Sequence, residues 1–118
     1  MGKSSKPGIA EVKEINNFLK AVKKEIREGR FFLIPRKKNL ESAGELGVFP
    51  DEEILTLSYK DYDRGPLPDK IFDGYVWEFI KKIDNNNTYI KLKVDERGCI
   101  CLSFHKSDGP TSLPYREK

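Results

Sequence analysis

Apolar and polar residues alternate with period two in three C-terminal stretches. These are Val76-Trp77-Glu78-Phe79, Tyr89-Ile90-Lys91-Leu92-Lys93-Val94 and Cys99-Ile100-Cys101-Leu102-Ser103-Phe104-His105. Such alternation marks a strand with one face buried. Between the last two, Glu96-Arg97-Gly98 suits a three-residue hairpin loop with glycine in the left-handed position. That loop sets Asp95 opposite Cys99, Lys93 opposite Cys101, Lys91 opposite Ser103 and Tyr89 opposite His105. Between the first two, Asp84-Asn85-Asn86-Asn87 suits a two- or four-residue loop, which pairs Trp77 with Val94, Phe79 with Leu92 and Glu78 with Lys93. One face of the resulting sheet carries Trp77, Phe79, Ile90, Leu92, Val94, Ile100, Leu102 and Phe104. The other carries Glu78, Tyr89, Lys91, Lys93, Ser103 and His105, so the single histidine lies beside a tyrosine, a glutamate and two lysines.

The N-terminal half follows a helical period instead. Ile9, Val12, Ile15, Phe18, Leu19, Val22 and Ile26 recur at spacings of three and four, one apolar stripe with Lys and Glu around it. Gly29 suits the C-terminal cap. Phe31-Phe32-Leu33-Ile34 reads as a short strand stopped by Pro35. Asn39 can cap a short helix that Gly47 ends. Pro50-Asp51-Glu52-Glu53 opens a second short helix, because proline suits the first turn and carboxylates suit the helix dipole. Residues 61–69 hold two prolines, a glycine and three aspartates and read as a turn-rich loop. The expected architecture is α+β: an antiparallel sheet with the N-terminal helix and short helices on one face. Residues 1–8 read as a flexible tail and residues 9–118 as one domain.

Composition narrows the function classes. With 118 residues, 37% hydrophobic and 35% charged, the chain has room for one core. No apolar run is long enough to span a bilayer, and no apolar signal core follows the basic N-terminus, so a cytoplasmic location is expected. Gly2 and Ser5 miss the myristoylation spacing by one residue. Cys99 and Cys101 are a lone Cys-x-Cys pair with no second ligand pair, and read as packing residues rather than a metal site or a disulfide. The net charge of +3 is uneven: residues 1–38 hold eleven Lys/Arg against four Asp/Glu, and residues 50–79 hold three against eight. A modest positive charge suits a nucleic-acid partner without demanding one.

The order of Leu46-Gly47, Asp61-Tyr62, Gly65-Pro66, Trp77, Tyr89-Ile90-Lys91-Leu92 and Ser103-Phe104-His105 resembles the MqsR toxin family of type II toxin–antitoxin systems. The resemblance covers about residues 30–105. It implies a RelE-like fold and an mRNA endoribonuclease held inactive by a cognate antitoxin protein. It implies no cofactor, no metal and no membrane, and leaves the ribosome as an optional partner. Residue by residue it points to Arg64, Glu78, Tyr89 and His105 as catalytic, with Arg64, Lys91 and Lys93 contacting RNA. Glu78 stands where the family commonly has an amide, and His105 where its best-known branch has lysine.

Three of those four residues, Glu78, Tyr89 and His105, fall on the polar face that the hairpin argument derives independently. Metal-free RNA cleavage needs a base for the 2′-hydroxyl, cations for the phosphate and an acid for the 5′-oxygen. Histidine is the side chain suited to moving a proton near neutrality, and arginine grips phosphate with a planar fork. Ordinary roles fit the same residues. A surface histidine is commonly just polar, Glu78 reads first as a salt-bridge partner of Lys93, and Trp77 reads as core. The alternative function is a non-catalytic module of the same fold that binds RNA or protein in a phage or defence context. A third is a docking protein that uses the amphipathic N-terminal helix.

Overall fold

A computed structural model describes residues 8–116. The expected tail, residues 1–8, lies outside them except for Gly8. The elements run α1 (Val12–Arg27), β1 (Phe31–Leu33), α2 (Lys37–Leu46), α3 (Pro50–Leu55), a 3-10 turn (Tyr59–Asp61), β2 (Tyr62–Pro68), β3 (Tyr75–Ile83), β4 (Asn86–Asp95) and β5 (Gly98–Lys106). The strands form one five-stranded sheet in the order β1-β5-β4-β3-β2. Its pairs are antiparallel except β1, which runs parallel to β5. The fold is α+β, as the sequence leads one to expect. Among the described residues no helix is long and apolar enough to cross a membrane.

The apolar stripe of α1 explains how the layers stack. Ile15, Leu19 and Val22 are wholly buried against a sheet face that supplies Phe79, Ile90, Leu92, Cys99, Cys101 and Phe104. Phe18 stacks on Trp77 with ring centroids 4.6 Å apart. The helix ends as its sequence dictates: Gly29 takes φ +80° and its N–H bonds Ile26 O, while Arg30 N–H reaches back to Glu25 O. Gly47 ends α2 in the left-handed region, and Pro50 opens α3.

The strand pattern is right about the faces of β3, β4 and the distal half of β5, but wrong about residues 99–102 of β5 and about several partners. Tyr89 lies opposite His105 and Lys91 opposite Ser103, as expected. Nearer the turn the register slips by one. Lys93 faces Ile100, not Cys101, and Asp95 faces Gly98, not Cys99. The loop is the two-residue Glu96-Arg97, and Leu102 is the extra residue of a β-bulge that restores the register beyond it. Cys99 and Cys101 therefore take the core positions expected for Ile100 and Leu102, while Ile100 joins Lys93 on the opposite face, where both are buried. Gly98 enforces the shorter loop. It has φ +126°, and a Cβ there would lie 2.5 Å from Arg30 O, the acceptor for Cys99 N–H. Between β3 and β4 the loop is Asp84-Asn85, with φ of 50° and 65°. This shifts the expected partners by two, which preserves the faces: Trp77 pairs with Leu92, Glu78 with Lys91 and Phe79 with Ile90.

Asn39 is not a helix cap. It is the third residue of α2 and wholly buried. Its amide donates to Ile34 O (2.9 Å) and Leu102 O (3.1 Å) and accepts from Phe104 N–H (3.0 Å). One buried side chain thus ties the bulge residue Leu102 and the neighbouring Phe104 to the segment that follows β1.

Both cysteines are free and buried. Burial pushes the Cys99 thiol up to about 12 and the Cys101 thiol higher still. Only the thiolate reacts. Neither sulfur is expected to consume a thiol reagent at pH 8 in the folded protein, and both should do so once it is unfolded in denaturant. A fast reaction in the folded state would show that β5 opens at its core face.

Candidate functional site

The stretch expected to be a loop, residues 61–69, is the edge strand β2. Glycine and prolines are tolerated there because an outer strand needs only one ladder and bulges break even that one, with register shifts on both sides of Arg64. Tyr62 fastens it. Its ring is wholly buried among Trp77, Phe79 and Tyr115, its hydroxyl donates to Gly65 O (2.6 Å), and Ala10 N–H donates to it (3.0 Å). With the strand so held, Arg64 sits opposite Glu78.

Two adjacent rows of the sheet then carry the polar groups. The first runs Arg64, Glu78, Lys91, Ser103 across four strands, and the second runs Ile80, Tyr89, His105 across three. Arg64, Glu78, Tyr89 and His105, all four expected catalytic residues, line one cleft of about 360 Å³. Its remaining walls are Lys38 from α2, Asp63 and Ile80 from the sheet, and Ser107-Asp108-Gly109-Pro110 from the C-terminal segment.

The electrostatics of the cleft distinguish its carboxylates. Asp63 is buried and accepts from the backbone N–H groups of Ser112 (2.5 Å) and Leu113 (2.9 Å). It holds the C-terminal segment in place and lies 3.7 Å from Arg64 Nε. Asp108 reaches Lys38 at 4.0 Å. Glu78 makes no ion pair among the described residues, and its neighbour is the Tyr89 hydroxyl. Burial first, then hydrogen bonding to Glu78 and the charge of that carboxylate, push the Tyr89 phenol well above its ordinary value, against the opposing pull of Arg64. Tyr89 is therefore a neutral hydrogen-bond donor at any ordinary pH.

His105 is half-buried, its ring centroid 5.3 Å from that of Tyr89. Its Nδ1 lies 3.1 Å from Lys106 O. A carbonyl oxygen only accepts, so Nδ1 carries the proton in this bond. Nε2 is left to take or give a proton at the cleft. Arg64 is half-exposed at the rim, with Nε beside Asp63. The arrangement offers an unpaired carboxylate, an imidazole nitrogen, a phenol donor and a guanidinium around one space.

The expected RNA contacts divide. Arg64 lines the cleft. Lys91 lies in the first row beside Glu78, half-buried and without an ion pair among the described residues, but it is not part of the cleft wall. Lys93 is corrected: its side chain is 5% exposed, and its ammonium lies 2.6 Å from Asp69 Oδ2 and 2.7 Å from Asp73 O. It is the internal counter-ion of the β2–β3 loop. Its hydrogen bond is the main cause that holds the Asp69 carboxyl well below the usual carboxylate range. Glu78 is accordingly no partner of Lys93. Lys38 and Asp108 are cleft residues that pattern reading missed, since they come from a short helix and an irregular segment without a shared period. Among the described residues no three His, Cys, Asp or Glu side chains group as metal ligands. Compared with known proteins, the chain matches no family model and no curated protein.

Proposed function

We propose that this cleft cleaves RNA by attack of the 2′-hydroxyl, and that the protein is a RelE-like, MqsR-type toxin whose activity a cognate antitoxin restrains. The observation that carries the reading is the convergence of Arg64, Glu78, Tyr89 and His105 on one cleft. The α+β arrangement is compatible with the fold this reading requires. The Glu78 carboxylate takes the 2′-hydroxyl proton, and the 2′-oxygen forms the new bond to phosphorus. The bond from phosphorus to the 5′-oxygen breaks, and protonated His105 gives its Nε2 proton to that oxygen. The products are a 2′,3′-cyclic phosphate and a 5′-hydroxyl. Glu78 ends protonated and His105 neutral, and exchange with solvent restores both. Arg64 holds the non-bridging oxygens, and Tyr89 donates a hydrogen bond that orients Glu78 or the phosphate.

The test is incubation of the purified protein with short RNAs in excess chelator, with mapping of the product ends. A 2′,3′-cyclic phosphate, and resistance of a substrate with one 2′-deoxy position at the cut, are expected. In cells, induced expression should stop growth and shorten mRNA. Intact RNA that nevertheless binds the protein would replace this reading with the non-catalytic one. A free 3′-hydroxyl product would reject the 2′-hydroxyl mechanism.

A further inference from the structure

The cleft leaves the most basic part of the chain unexplained. On α1, Asn16, Lys20, Lys23 and Arg27 recur at spacings of four, three and four, a polar stripe beside the buried one. They form one wall of a groove of about 340 Å³, whose other wall is Leu57 and Ser58, between α3 and the 3-10 turn. This groove lies on the helical layer, across the sheet from the cleft.

Three cations line it and no carboxylate does. Lys20, Lys23 and Arg27 form no ion pair among the described residues. The nearest acid that acts on Lys23, Asp61, is already committed. It lies 2.8 Å from Arg116 and accepts Ser58 N–H at 3.0 Å. Lys23 Nζ donates to Leu57 O at 2.7 Å, which fixes the ammonium at the groove wall. Burial, and then the like charge of Arg27, lower its pKa. Among the described residues the repulsion between these cations is offset only in part, by Asp61 acting on Lys23, and an anion in the groove would relieve it. Asn16 and Ser58 add neutral groups able to donate hydrogen bonds.

We propose that this groove binds the backbone phosphates of a single-stranded RNA, at a place separate from the cleft. A protein partner would call for an apolar or aromatic anchor at the centre of the surface. The groove offers only Leu19 and Leu57, both buried, and no aromatic residue. Cation tips and neutral donors without such an anchor are the composition of a phosphate-binding surface. The inference does not require that the cleft cleave anything.

The probe is a fluorescent 2′-O-methyl oligonucleotide, which cannot undergo 2′-hydroxyl attack. Its affinity is measured against salt for the wild type, for Lys20→Gln/Arg27→Gln, and for Lys70→Gln/Lys106→Gln as a control with the same net charge. Both groove residues are exposed, so thermal denaturation should be unchanged. The groove variant should bind on the order of ten-fold more weakly at low salt, and its salt slope should fall by about 1.4, given ~0.7 for each phosphate of a single strand that is no longer neutralised. The control should stay near the wild type. Equal behaviour of groove variant and control would overturn the proposal. So would a polyglutamate peptide that displaces the oligonucleotide at matched charge, since that marks an acidic protein as the occupant. Groove-dependent binding in a protein that fails to cut any RNA would uphold this inference and reject the catalytic one.

Discussion

Replacing His105 with alanine is expected to slow single-turnover RNA cleavage by about 10²–10⁴-fold, the usual worth of a positioned acid or base. RNA affinity should change little, because the imidazole acts on the leaving oxygen rather than gripping the strand. Glu78→Gln should cost a similar factor, since it keeps the shape and removes the proton acceptor. The double variant should be far less impaired than the product of the two single effects, because acid and base serve one step. Binding of the non-cleavable oligonucleotide should tighten modestly in Glu78→Gln, as a negative charge leaves the phosphate's neighbourhood. A Glu78→Gln protein that cuts at the wild-type rate would reduce Glu78 to an orienting partner of Tyr89. A toxic His105→Ala protein would remove His105 from the chemistry.

The largest effect on stability is expected just behind the cleft wall, at Asn39. Alanine there strands Leu102 O and Phe104 N–H in a buried setting, and leaves Ile34 O with only its bond from Arg36 N–H. Each orphaned group costs about 1–3 kcal/mol, so a loss of roughly 3–5 kcal/mol is expected, a large part of what a domain of this size possesses. Thermal denaturation should fall by roughly 10–20 °C. Asn39→Asp should do no better, because a carboxylate cannot donate to the two carbonyls and faces them with charge. A fall of less than about 3 °C in Asn39→Ala would show that the bulge is held by the strands themselves.

The faces of β3, β4 and the distal half of β5 follow from alternation, because a period of two fixes the side, and the assumed hairpin places the Tyr89–His105 and Lys91–Ser103 pairs correctly; residues 99–102 lie on the opposite faces. The turn-proximal register does not follow from local pattern. It depends on Leu102 being looped out, and the group that makes this tolerable, Asn39, lies 65 residues from Phe104 in sequence. Strand β2 is hidden by its prolines, and only the burial of Tyr62 reveals why it is a strand. Lys93 looks like a free surface cation until the β2–β3 loop folds Asp69 onto it. The cleft's composition is thus readable for the four sheet residues, and unreadable for Lys38 and Asp108, which enter from outside the sheet.

The bulge at Leu102 has a bearing on how this chain tolerates change. It divides the β4–β5 hairpin into two segments with separate anchors: the turn-proximal one answers to Glu96-Arg97 and Gly98, the distal one to Asn39. The register set near the turn ends at position 102 and does not extend to the Tyr89–His105 pair. An alignment that treats the hairpin as one rigid block will therefore place gaps at the wrong end of it.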